Sequence, residues 1–63
     1  MTDKELKRAK ELFPRLETET TATLEMILSE IRKRDWSTIG DVMILKHDYI
    51  QMLLISRSRS EEV

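Results

Sequence analysis

The chain has 63 residues, of which 40% are apolar and 37% charged, and its formal net charge is -1. A chain this short buries little surface, and with no cysteine and one histidine it offers neither a disulfide nor a set of zinc ligands. One glycine and one proline are too few for the turns of an all-β fold. The composition therefore predicts a helical chain, without metal or cofactor, that is stabilised by self-association or by a partner chain.

The location of the protein is inferred from what its apolar segments lack. The first ten residues, MTDKELKRAK, contain no apolar core of a secretory signal. The apolar run MILKHDYIQMLLI, residues 43–55, is shorter than the roughly 20 residues that cross a bilayer, and it contains Lys46, His47 and Asp48. We therefore expect a cytoplasmic protein that does not contact a membrane.

A short first helix is predicted over residues 2–13. Thr2 and Glu5 have the spacing of a capping box, in which a hydroxyl and a carboxylate bind free backbone N–H groups. Apolar residues follow at helical spacing as far as Phe13, and Pro14 ends the segment because it cannot continue a helix.

A second helix is predicted over residues 15–35, with one apolar stripe and charged residues beside it. Its beginning is rich in threonine, which loses rotamer freedom in a helix, so the start lies at Pro14 or only near Thr21. Three cations in the last turn stabilise the negative end of the helix dipole: Arg32, Lys33 and Arg34.

A third helix is predicted over residues 38–56. It follows the break DWSTIGD, in which Thr38 and Asp41 repeat the spacing of a capping box. The remaining residues, 57–63, are polar and are expected to form a frayed tail.

The two long helices are predicted to lie antiparallel as a hairpin, because only about three residues near Trp36 separate them. With the turn at that place, Ile31 faces Val42 and Thr20 faces Leu53. The expected fold is therefore a single all-α domain: an antiparallel helical hairpin with a short extra N-terminal helix, assembling into a four-helix bundle.

The last helix is apolar nearly all round, so it should be buried nearly all round. One hairpin cannot cover three faces, which predicts a homodimer or a docked partner protein. No cysteine nucleophile, paired-histidine motif or glycine-rich loop is present, so we expect no enzyme but an adaptor, inhibitor or co-chaperone. The predicted contact residues are Met43, Ile44, Ile50, Leu54 and Ile55.

The fragment LKHDYIQMLL resembles the phosphoacceptor box of one class of sensor kinases and of sporulation phosphotransferases. Those families carry an arginine, a histidine, an aspartate and an aromatic residue on a helix of a dimeric bundle. Here Lys46 replaces the arginine, and Gln51 replaces the commoner asparagine. The resemblance implies, as an alternative function, a histidine phosphotransfer module that uses His47. The other interpretation places His47 and Asp48 on the polar side of an amphipathic helix.

A further alternative is a small dimeric RNA- or DNA-binding regulator that uses Arg32, Lys33 and Arg34. In the hairpin these residues lie at the turn, whereas Arg57 and Arg59 lie at the opposite end, so one copy has no continuous basic stripe. Dipole compensation and solubility explain the same cations more simply. The hairpin layout and the stretch LEMIL also resemble the small helical co-chaperones of type III secretion systems, which implies binding to a second chaperone and a needle subunit.

Overall fold

The computed structural model describes residues 1–61 of the chain. Three α-helices follow one another: α1 (Asp3–Leu12), α2 (Thr21–Arg32) and α3 (Asp41–Glu61). A short 3-10 helix, Leu16–Thr18, lies between α1 and α2. The described residues contain no strand, and the predicted all-α class is confirmed.

α1 begins at the capping box that the sequence predicts. The hydroxyl of Thr2 accepts a hydrogen bond from the backbone N–H of Glu5 at 3.2 Å and donates one to the Glu5 carboxylate at 3.3 Å. This contact satisfies one of the N–H groups that the first turn of a helix leaves free. The helix ends at Leu12, just before Phe13 and Pro14.

α2 is shorter than the predicted helix over residues 15–35. Thr20 is its N-cap, and its hydroxyl accepts a hydrogen bond from the backbone N–H of Thr23 at 3.2 Å. The helix therefore begins at Thr21, the later of the two starts considered, because a threonine cap stabilises a helix start by about 1 kcal/mol. The preceding residues form the 3-10 helix instead, which buries Leu16 in the core.

The start of α3 differs from the predicted helix over residues 38–56. The backbone N–H of Thr38 donates to the carbonyl of Asp35 at 3.1 Å, so Thr38 belongs to a turn and is not the helix cap. The carbonyl of Gly40 instead accepts the backbone N–H groups of Met43 and Ile44, at 3.0 and 3.2 Å. α3 consequently begins at Asp41.

The end of α3 runs through most of the predicted polar tail, residues 57–63, which is helical as far as Glu61. The guanidinium of Arg57 donates to the hydroxyl of Thr21 at 3.2 Å and to the carbonyl of Glu17 at 3.1 Å. These bonds attach the last turns of α3 to the start of α2. Residues 62–63 of the predicted tail lie outside the described residues.

α2 and α3 contact each other at both ends. Arg32, the last residue of α2, donates from Nε to the imidazole of His47 at 3.3 Å. At the other end Arg57 reaches Thr21, the first residue of α2. The two helices therefore run in opposite directions along this contact.

The register of α2 on α3 differs from the predicted one. Val42, which was expected to face Ile31, is 44% exposed, while Ile31 itself is buried. Residues 33–40 connect the two helices, instead of about three residues. The longer connection lets α2 pack against residues that lie further along α3.

α1 covers a second side of α3. Near its end, the ring centroid of Phe13 lies 5.6 Å from the Lys46 ammonium, and at its start Met1 lies in a groove with Arg59. α1 thus also runs opposite to α3. Ala9 is fully buried, and its small side chain permits a close approach of the packed elements.

The core receives side chains from every helix, the 3-10 helix included. Its buried members are Ala9, Leu16, Leu24, Leu28, Ile31, Leu45, Tyr49 and Ile50. The prediction that Ile50 lies beyond the packing within the chain is wrong, because its exposed fraction is 0%. α2 packs on the flank of α3 that carries Met43, which lines a groove with Ile27 and Ile31, and Ile50 lies two turns further along that flank.

The chain exposes 4826 Å² of surface. A compact monomer of 7.5 kDa is expected to expose about 4,250 Å². The exposed area is about 600 Å² above that average. On α3, Ile55 is 49% exposed, so this part of the helix is left without cover by the rest of the chain.

Replacing Ile50 by valine should lower the free energy of unfolding by about 1 kcal/mol, because the deleted methyl group leaves a cavity in the core. Ile55→Val makes the same chemical change at a side chain that is 49% exposed, and should cost less than about 0.5 kcal/mol. Urea unfolding at one low protein concentration measures both. Equal losses in the two variants would contradict the burial described for Ile50.

Tyr49 is 1% exposed, and burial, with a smaller contribution from the Glu17 carboxylate, raises the pKa of its phenol above the ordinary value of 10.0. The folded chain therefore keeps the phenol proton to higher pH than the unfolded chain does. The contribution of the Tyr49 phenol to the free energy of unfolding is fully present below the pKa of the unfolded chain. It is lost as the pH rises through the pKa of the folded chain. The direction of the effect is a loss of stability on the alkaline side.

We expect the free energy of unfolding to fall as the pH rises above about 9, where the phenol of the unfolded chain begins to lose its proton, and Tyr49→Phe to reduce that fall. Glu17→Gln should reduce it less, since the carboxylate is the smaller cause. Urea titrations of the three proteins across this range provide the measurement. An alkaline loss of the same size in Tyr49→Phe would show that other groups cause it.

Candidate functional site

An open groove of about 810 Å³ lies between the start of α1 and the second half of α3. We call it the α1–α3 groove. Its apolar side chains are Met1, Met52 and Ile55, and its charged side chains are Glu5, Asp48 and Arg59. The other lining residues are polar and uncharged: Thr2, Gln51, Ser56 and Ser60.

The apolar part of the α1–α3 groove is only partly buried. Met52 packs against the core with one side, whereas Met1 and Ile55 are each 49% exposed. Apolar side chains that adjoin one another at a surface, rimmed by polar groups, are typical of an interaction site. The groove therefore offers hydrophobic surface that a second molecule can bury.

The charged rim contains both signs. Asp48 and Arg59 lie on α3 at the two ends of the groove, and Glu5 lies on α1. The side chain of Asp48 is 47% exposed, and one of its oxygens contacts Nδ1 of His47 at 3.2 Å. A rim of mixed charge can orient a bound partner and reject one of unsuitable charge.

His47 is held on three sides. Nε2 accepts from Nε of Arg32 at 3.3 Å, Nδ1 lies 3.2 Å from Oδ1 of Asp48, and the ring packs perpendicular to that of Trp36 with centroids 4.9 Å apart. Because the guanidinium can only donate, Nε2 is the acceptor, and the neutral ring carries its proton on Nδ1, which donates to Asp48. The imidazole is thereby fixed in one tautomer.

This arrangement differs from the solvent-facing imidazole that a phosphoacceptor box requires. The side chain of His47 is 11% exposed, and the lone pair on Nε2 is directed at Arg32. A nucleophile must have a free lone pair within reach of the group it attacks. The contacts link His47 to Arg32 at the end of α2, to Asp48 on α3 and to the turn that carries Trp36.

The three predicted nucleic-acid contacts have different surroundings. Arg32 bonds His47, Lys33 pairs with Glu30 at 3.4 Å, and Arg34 lines a second groove. The Lys33 pair is an exposed pair spaced three residues apart, which contributes little to stability.

The five predicted partner contacts also have different surroundings. Ile55 lies in the α1–α3 groove, and Ile50 lies in the core. Met43 and Leu54 are partly buried against the core, and Ile44 is half-buried. Met52, Met1 and Glu5 were not predicted as neighbours of Ile55, because the sequence does not show where α1 packs on α3.

The second groove has a volume of about 310 Å³ and lies between α2 and α3. Met26, which is 61% exposed, and Met43 provide its apolar surface, with Glu30, Arg34 and Lys46 around them. It is smaller than the α1–α3 groove, and most of its apolar side chains already pack against the core. We therefore take the α1–α3 groove as the candidate site.

The described part of the chain holds no group of three or more histidine, cysteine, aspartate or glutamate residues that could bind a metal ion. Among residues 1–61, no helix has the length and apolarity needed to cross a membrane. Comparisons with protein-family models, with curated proteins and with solved structures found no match to this chain. The geometry of the grooves is therefore the basis for any functional assignment.

Replacing His47 by alanine should shift the fluorescence of Trp36 to longer wavelength. Trp36 is the only tryptophan of the chain, and the imidazole packs perpendicular to its ring with centroids 4.9 Å apart, which shields the indole from water. Gln51→Ala, which removes an exposed polar side chain one turn further along α3, should leave the emission unchanged. Identical spectra for the wild-type chain and His47→Ala would contradict the contact between the two rings.

Proposed function

We propose that the chain is a small non-catalytic adaptor that acts by binding another protein chain in the α1–α3 groove. The observation that carries the proposal is the juxtaposition of Met1, Met52 and Ile55 in an open groove whose rim carries both charges. α1 forms one wall of this groove but does not close it, since Met1 and Ile55 are each 49% exposed.

The shape of the α1–α3 groove suits a helix better than a small ligand. Sites for small molecules enclose most of the ligand surface, whereas this groove is open and runs between two helices. An amphipathic helix binds such a groove by laying its apolar face along it. The adaptable side chains of Met1 and Met52 can fit more than one apolar shape.

The contacts of the polar residues support a non-catalytic role. The single histidine uses both ring nitrogens in bonds to Arg32 and Asp48. Among residues 1–60, no buried side-chain nitrogen or oxygen lacks a hydrogen-bond partner, so none is left poised for a substrate.

The proposed complex completes a helical bundle. In it, α2 and α3 form an antiparallel hairpin backed by α1, and a helix of the partner occupies the α1–α3 groove. Burial of apolar surface contributes about 25 cal/mol of free energy per Å², which favours such an assembly over an exposed groove. A four-helix layer of this kind is the arrangement that the apolar pattern of the sequence favours.

A photo-reactive phenylalanine analogue at position 55 tests the proposal in the cells that make the protein. We expect irradiation to join the chain covalently to a protein, because Ile55 lies in the groove. Position 12 is the matched control, since Leu12 is 47% exposed, close to the 49% of Ile55, and does not line the groove.

Protein adducts at position 55 and none at position 12 support the proposal. No protein adduct at position 55, or equal adducts at both positions, would contradict it. Where an adduct forms at position 55, mass spectrometry of it identifies the partner.

A further inference from the structure

We propose that the occupant of the α1–α3 groove is the α3 helix of a second copy of this chain, packed antiparallel about a two-fold axis. This inference rests on the proposed function, because it names the partner of the same groove. It is carried by four residues of α3 that line the groove at intervals of four, three and four positions: Asp48, Met52, Ile55 and Arg59. We call them the α3 seam.

The spacing of the α3 seam is that of a helix that packs against another helix. Positions that alternate three and four residues apart stay on one side of a helix over several turns. The neighbouring groove residues, Gln51 and Ser56, lie beside the seam and are uncharged. Gln51 and Ser56 therefore add no charge repulsion against a second α3 helix.

The charges of the α3 seam are complementary to those of the α3 seam of a second copy that runs in the opposite direction. When the two-fold axis passes between residues 53 and 54, Asp48 of each copy lies opposite Arg59 of the other. The interface thus gains two carboxylate–guanidinium pairs, one at each end. A two-fold interface requires this kind of self-complementary surface.

The centre of the α3 seam is apolar, and the same axis pairs it with itself. Met52 of each copy lies opposite Ile55 of the other, so the exposed half of Ile55 becomes covered. Met1, which lines the same groove, contacts the edge of the incoming helix. The apolar pairs provide the affinity, and the charged pairs at the ends fix the direction.

A parallel arrangement is disfavoured by the same residues. In a parallel pair each position of a seam meets itself, which places Asp48 against Asp48 and Arg59 against Arg59. Like charges in these positions repel each other. The charge order along α3 therefore selects the antiparallel pair.

Charge reversal tests the proposed pair. Sedimentation equilibrium of the purified full chain should show a dimer that dissociates on dilution. Asp48→Arg and Arg59→Asp should each raise the dissociation constant at least about tenfold, because each brings like charges together at both ends of the seam. The two substitutions combined in one chain should restore it to within about threefold of the wild-type value.

Glu11→Arg and Arg8→Asp are the matched controls. They make the same changes of charge at exposed positions of α1 that do not line the groove, and they should leave the dissociation constant unchanged. Far-ultraviolet circular dichroism of each variant verifies that its helices are intact. Restoration by the double variant excludes the loss of the His47–Asp48 bond as the cause of weaker association.

A wild-type chain that stays folded and monomeric up to about millimolar concentration would overturn the inference, as would a double variant that associates no better than the single ones. If position 55 then cross-links to a different protein, the proposed function stands and only self-pairing is wrong. A dimer that responds to the charges as described, together with chain-to-chain adducts at position 55, supports both.

Discussion

The structure depends on a difference in length between α3 and the two shorter helices that cover it. α3 has 21 residues, whereas α1 has 10 and α2 has 12. At 1.5 Å per residue, α3 is about 32 Å long, and each of the others spans roughly half that length. Two short helices on two sides bury Leu45, Tyr49 and Ile50, and they leave the side of Ile55 exposed. The α1–α3 groove is the direct result.

The polar residues around the core hold this arrangement in place. Arg32 and Arg57 attach α2 to α3 near its two ends. In the connecting turn, the Asp35 carboxylate accepts from the hydroxyl and the backbone N–H of Ser37, and these two bonds lower the pKa of Asp35 below its ordinary value. At the same end of the molecule, His47 contacts Arg32 of α2 and the ring of Trp36 in the connecting turn. These polar contacts thus orient the helices relative to one another.

Local signals in the sequence predict the helical class, the cap at Thr2 and the stop before Pro14, because each depends on neighbouring residues only. The packing of the helices is different, since it depends on the path of residues 33–40. Ile50 and Ile55 have the same side chain on the same helix, and only the position of α2 and α1 makes one buried and the other exposed. A sequence pattern identifies apolar positions, but it does not tell which neighbour covers them.

The proposed antiparallel pairing of two copies through α3 can be tested by the distance between the first residues of the two α3 helices. A nitroxide label at Asp41, the exposed first residue of α3, reports the separation of the two helix starts by pulsed electron resonance. An axis between residues 53 and 54 predicts a distance of about 40 Å between the labelled backbones, from the helical rise and an interaxial distance of about 9 Å. A distance of about 10–20 Å would indicate parallel helices, and the absence of any intermolecular distance would indicate a monomer. Either result would contradict antiparallel pairing through α3.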